Sequence, residues 1–162
     1  AEGQTVRWLG VGKKGRSTLT FRRRELSGAF VGFTDAPAYS DAQGIAHHAS
    51  FVVWLEVARV EYLERFAGGY QAVRDRGIEA LTTEVNVRYH RAASFDDRLT
   101  VEVRCVDMRG ARFRYEYRVT RGDELVAEAF TSHAVVDAAT YRPIRVPAWL
   151  SEAISKAESG AE

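Results

Sequence analysis

The chain has 162 residues, with 23 Lys and Arg against 22 Asp and Glu, a formal net charge of +1. That length predicts one domain, burying roughly 68–70 % of the unfolded surface, enough for a core without staples. Balanced charge argues against a nucleic-acid or membrane binder, since both need a concentrated basic surface. One cysteine excludes an intrachain disulfide. No apolar run is long enough to cross a bilayer and no signal-peptide core is present, so the expected location is cytoplasmic.

In chain order, Thr5 to Leu9 and Ser17 to Phe21 read as two short strands around the turn residues Gly12-Lys13-Lys14-Gly15, a hairpin. Arg22-Arg23-Arg24 reads as a solvated strand end rather than a phosphate site. Ala29 to Thr34 reads as a strand, broken by Asp35-Ala36-Pro37 because proline removes a donor and fixes φ. A loop runs on through Gly44.

Ser50 to Phe66 is the clearest helix. Phe51, Trp54, Leu55, Ala58, Tyr62 and Phe66 follow the i, i+3, i+4 spacing, and Val52, Val53, Val57, Val60 and Leu63 widen the stripe. The expectation is a helix buried on nearly all sides. Glu56/Arg59 and Glu61/Arg65 sit at pairing distance, and Gly68-Gly69 supplies a left-handed cap. A short helix, Tyr70 to Arg76, follows.

From Leu81 the period changes to two. Val85, Val87 and Tyr89, then Leu99 to Cys105, then Phe113 to Val119, then Leu125 to Val136 read as four strands in a consecutive antiparallel meander. Arg109-Gly110 and Arg121-Gly122-Asp123 mark hairpin turns. The second of these spells a cell-adhesion tripeptide but reads as turn chemistry. Ala148 to Lys156 reads as a terminal helix. The fold class is α+β, a curved sheet wrapped around one long helix, and the meander would leave open edges for another subunit to pair with.

Ser40-Asp41-Ala42-Gln43-Gly44-Ile45-Ala46-His47-His48-Ala49-Ser50-Phe51 resembles the signature loop of the 4-hydroxybenzoyl-CoA thioesterase family, which has the hotdog fold. Trp54 to Arg59 is similar to that family's central helix, Val87 to Asp97 to its strand, kink and acidic turn, and Pro143 to Pro147 to its exit. The resemblance runs from about residue 30 to 150. It implies an N-terminal extension over 1–28, a hotdog domain over 29–150 and a tail over 151–162. Pro37 departs from the family's continuous strand into Ser/Thr-Asp. Thr34-Asp35-Ala36 copies the motif, but a proline follows it and its distance to the helix is too long.

The resemblance implies an acyl-CoA thioesterase with Asp41 as general base or nucleophile. The backbone N–H of His48, at the helix start, would stabilise the oxyanion, as helix N-termini favour negative charge. Gly44, His47, Phe51 and Trp54 would shape the substrate site, and Arg88, His90 and Arg91, supplied by a neighbouring subunit, would meet the phosphates of CoA. No metal or cofactor is implied. Adjacent His47 and His48 rarely converge on one ion, and no Cys/His spacing fits a zinc site. The expected assembly is a homodimer or homotetramer with sites at the interface.

Each residue also has a plainer reading. Asp41 can cap a turn, Phe51 and Trp54 can be core, Glu56 and Arg59 can be a helix-surface pair, and Cys105 reads as a small buried hydrophobe. An acyl-carrier-protein thioesterase and a non-catalytic acyl-CoA binding protein remain open. A hydratase does not fit, because Asp-x-Asn-Pro-x-His is missing.

Overall fold

The computed structural model describes residues 7–8, 17–22, 45–94 and 97–159. The expected strand at 29–34 lies outside the described residues. The helices are α1 (His48–Ala67), α2 (Tyr70–Asp75) and α3 (Ala148–Ser159). The strands are β1 (Arg7–Trp8), β2 (Ser17–Arg22), β3 (Ile78–Tyr89), β4 (Arg98–Arg109), β5 (Arg112–Arg121) and β6 (Glu124–Asp137). All pairings are antiparallel, in the order β1-β2-β4-β5-β6-β3.

That order corrects the four-strand meander. Only β4, β5 and β6 are consecutive neighbours, and β3 pairs with β6 from Ile78 opposite Asp137 to Tyr89 opposite Ala127. The reason is connection length. Two-residue turns at Gly110 and Gly122, both at positive φ, force hairpins. The connection 90–97 has eight residues, a reach of about 27 Å. That spans the three strand spacings, about 14 Å, between β3 and β4.

One face of the sheet carries Leu99, Val101, Val103 and Cys105 from β4 and Phe113, Tyr115, Tyr117 and Val119 from β5, all buried. Helix α1 lies against it through Phe51, Trp54, Leu55, Ala58 and Tyr62. The all-round burial expected of this helix is corrected in part. Within one chain the sheet covers a single side, so Val52 stays 41 % exposed and Val53, Val57 and Val60 are half-buried. Gly68 ends α1 at φ 77° and its N–H returns to Leu63 O, as a left-handed cap requires.

The N-terminal runs pair as a hairpin, Arg7 opposite Thr20, and β2 continues along β4 from Ser17/Val103 to Arg22/Arg98. Beyond the end of β2, α3 takes over. Leu150, Ile154 and Ala157 are buried, and Glu158 Oε1 accepts from Cys105 N at 2.8 Å and from Tyr62 Oη at 2.6 Å. The whole is an α+β curved antiparallel sheet around one long helix, as expected. Among the described residues no helix is long and apolar enough to cross a membrane.

Candidate functional site

The start of α1 gathers most of the described candidates. His47 is the N-cap, in extended backbone at φ −57° and ψ 139°, and its ring Nδ1 accepts from Ala49 N at 3.2 Å. Its carbonyl accepts from Ser50 N at 2.9 Å. Two of the first-turn donors left open by helix geometry are therefore taken. The His48 N–H has no acceptor among the described residues. The His48 side chain is exposed, its ring 3.9 Å from that of His47.

Behind this turn, Phe51 and Trp54 are each 2 % exposed, with ring centroids 4.7 Å apart. They belong to the core and brace the helix from beneath. Tyr89 was not singled out from the sequence for the site, yet it closes one side. Its hydroxyl donates to His48 O at 3.1 Å and its ring meets Phe51 edge-on at 5.0 Å. The period of two along Val85, Val87 and Tyr89 gave its face. Its contact with the helix start depends on tertiary packing, which periodicity does not carry.

The approach to the helix is tied to the connection after β3. Ala46 N donates to Ala93 O at 2.8 Å, and Ile45 bridges Ser94. Asp41 and Gly44 lie outside the described residues.

The two arginines part company. Arg91 is exposed, with Nε 3.4 Å from Glu124 Oε1, two residues beyond Tyr89. Arg88 stands on the face of the sheet away from α1, so the chain does not bring it to the helix start. It lines a groove of about 440 Å³ with Asn86, Glu102, Arg104, Arg118 and Glu128. Registers place Glu102, Arg118, Glu128 and Arg88 in one row across β4, β5, β6 and β3, alternating in sign. Arg88, at the outer end of the row, has no ion pair among the described residues.

Glu56 and Arg59 form the expected ion pair on α1. Burial, with the Glu158 carboxylate adding to it, pushes the Cys105 thiol up to about 12. It is therefore protonated at neutral pH and no nucleophile.

A sequence model described as the thioesterase-like superfamily matches residues 36–154. A putative esterase of Aquifex aeolicus is 32 % identical over 97 residues, covering 60 % of this chain and 76 % of that protein. The putative acyl-CoA thioesterase YneP of Bacillus subtilis is 27 % identical over 109 residues, covering 67 % and 79 %. Among solved structures, the hypothetical protein TT1821 of Thermus thermophilus superimposes with a TM-score of 0.71 at 28 % identity, covering 85 % of this chain and 96 % of that one. With a helix start carrying an open donor inside a curved antiparallel sheet, and a family match over most of its length, the chain belongs to the thioesterase-like superfamily.

Proposed function

We propose that this chain hydrolyses acyl-CoA thioesters, with Asp41 as the catalytic carboxylate and the His48 backbone N–H as the oxyanion donor. The observation that carries the reading is the helix start. His47 occupies the neighbouring N–H groups of Ala49 and Ser50, and the one at His48 has no acceptor among the described residues, which leaves it to a substrate carbonyl. A donor there is held in place before reaction and lies at the positive end of α1, where developing negative charge is favoured.

In the general-base route the Asp41 carboxylate takes a proton from water, and the resulting hydroxide adds to the thioester carbonyl. The oxyanion forms against His48 N–H. Collapse breaks the C–S bond, and the thiolate takes the proton back, giving free acid and CoA. In the nucleophilic route Asp41 adds to the carbonyl, and the C–S bond breaks to expel the CoA thiolate and leave a mixed anhydride. Water then cleaves the anhydride to free acid and the Asp41 carboxylate, the proton released passing to the thiolate. Neither route needs a metal. Arg91 is the phosphate contact within the chain, Gly44 lets the loop approach the substrate, and Phe51 and Trp54 hold the helix under it. The name of the Bacillus subtilis relative supports acyl-CoA as the substrate class.

The site is completed by a second copy. The outer edge of β3 has no partner among the described residues and is twelve residues long, and Leu81, Val85 and Tyr89 are 39 %, 42 % and 46 % exposed along it. A long edge of that kind pairs with another strand unless something covers it. A twofold pairing of β3 with β3 would bring the partner's edge alongside Tyr89 and the helix start.

The test is thiol release from a panel of acyl-CoAs, acetyl through long-chain to benzoyl, by wild type and Asp41→Asn. The expected loss is about 10²–10⁴-fold in kcat. Activity that survives the substitution would remove Asp41 from the chemistry. Tight acyl-CoA binding with no hydrolysis would point to a binding protein, and cleavage only of acyl-carrier-protein thioesters would change the substrate.

A further inference from the structure

We propose that Arg121 is a positioning residue for the helix start, acting through Asp97 and the 92–94 segment; its kinetic consequence rests on the thioesterase reading. Sequence alone assigned Arg121-Gly122-Asp123 to a turn, and Gly122 at φ 58° does make one. The arginine does more than flank it. Its Nη1 donates to Asp97 Oδ2 at 2.5 Å and to Ala92 O at 3.4 Å, while Nε and Nη2 hold Glu124 Oε2 at 3.0 and 2.5 Å.

Asp97 Oδ2 accepts a second bond, from Ser94 N at 2.7 Å. Ser94 bridges Ile45, and Ala93 O accepts from Ala46 N. The next residue along is His47, whose ring and carbonyl set the first turn of α1. A short path of hydrogen bonds therefore runs from the end of β5, through the β3–β4 connection, to Ala46, and the chain itself carries it on through His47 to the His48 amide.

This connection is where an outside hold is needed. Of the residues between β3 and β4, the described ones, 90–94 and 97, belong to neither strand. Backbone bonds to Val126 O fix His90 and Arg91 at its start, and the Asp97–Arg121 pair fixes its far end. Arginine suits the task because its planar fork reaches several acceptors in fixed directions, which lysine does not. The pair is partly solvent-exposed, Arg121 at 33 % and Asp97 at 18 %, so its contribution to global stability is small. Its effect is geometric, and misplacement of a reacting group by about 1 Å can cost about 100-fold in rate.

The experiment compares wild type with Arg121→Ala, Asp97→Asn, the double variant and Glu124→Gln. It reads kcat, KM, melting temperature and amide exchange of the peptide over 45–50. The expected result is a kcat about 10–100-fold lower in each of the first two, with KM within about threefold, because an oxyanion donor acts mainly in the transition state. The double variant should be no worse than either single one, with melting temperatures close to wild type and faster exchange over 45–50. Glu124→Gln, which weakens the turn pair and the Arg91 pair but leaves Asp97–Arg121 in place, should keep the wild-type kcat with any change confined to KM, and Arg121→Lys should recover part of the loss.

Unchanged kcat, multiplying losses in the double variant, or an equal loss in Glu124→Gln would overturn the proposal. If the wild type cleaves no thioester, the functional reading falls and exchange alone decides. Faster exchange over 45–50 in Arg121→Ala and Asp97→Asn would then sustain the positioning role, and unchanged exchange would end it.

Discussion

His133 is a buried titratable side chain outside the proposed chemistry. It is 2 % exposed, stacked on Phe113 at 5.2 Å, and shares a hydrogen bond of 2.7 Å with Thr131 Oγ1. Thr131 in turn meets Tyr117 Oη at 2.9 Å, so the ring sits in a satisfied network. Burial, reinforced by the Arg59 guanidinium, lowers its pKa from 6.5 to about 3. Above pH 6.5 it is neutral in both folded and unfolded chains. As pH falls below 6.5 the unfolded chain takes up the proton and the folded chain does not, so stability is lost on acidification. The slope approaches 1.4 kcal/mol per pH unit at most, by about the linkage relation for one proton. Urea unfolding at pH 7.5, 6 and 5 should show this decline, and His133→Gln should flatten it. An equal slope in the variant would assign the decline to other groups.

At the scale of elements, α3 acts as a cap on β4. The described β2 pairing reaches Val103, and, two residues on, Glu158 accepts from the Cys105 N–H and from Tyr62 Oη. Glu158→Ala leaves both donors unsatisfied, and Tyr62 is fully buried. The expected loss is about 2–4 kcal/mol, with Glu158→Gln losing less because an acceptor oxygen remains; denaturant midpoints measure both. Nothing in the sequence near Ala148-Lys156 announces that contact, because it joins residues 53 and 96 positions apart. Other elements were legible. The period of 3.6 over Phe51, Trp54, Leu55, Ala58 and Tyr62 placed α1 on the sheet, and the period of two placed Val101, Val103, Tyr115 and Tyr117 inside. Strand order was not, since the alternation in β3 says which face is buried but not which neighbour pairs with it. The helix start was legible through the Asp41 to Phe51 motif. Its braces, Tyr89 and Arg121, were not, because each acts across a register that local pattern does not encode.

For the molecule as a whole, charge would select how two copies meet in the proposed pairing. In a twofold antiparallel pairing of β3, like charges face each other if the axis passes through Glu84 or Arg88. An axis through Asn86 instead sets Arg88 opposite Glu84 of the partner subunit, twice per dimer, and continues the alternating row that Arg88 ends. Each such cross-strand pair contributes about 0.2–1 kcal/mol, and a like pair opposes by a similar amount. Arg88→Glu or Glu84→Arg alone should therefore weaken the dimer, and the two together should restore it, read by sedimentation. Asn86→Cys should cross-link the dimer on oxidation, with the buried Cys105 silent. A dimer that neither responds to the charge swaps nor cross-links has another register, and a monomer at all concentrations removes the interface.

The closure of the opposite edge has its own consequence. β2 runs along β4, and among the described residues the outermost strand there, β1, is a two-residue piece, too short to template another molecule. Among the described residues the sheet thus has a valence of one. Among the described residues a molecule joined through β3 offers no second long edge, so strand-to-strand growth through them terminates at a pair and does not propagate into a fibre. Extending or baring the β2 edge would raise that valence to two, and open-ended association would become available to the same fold.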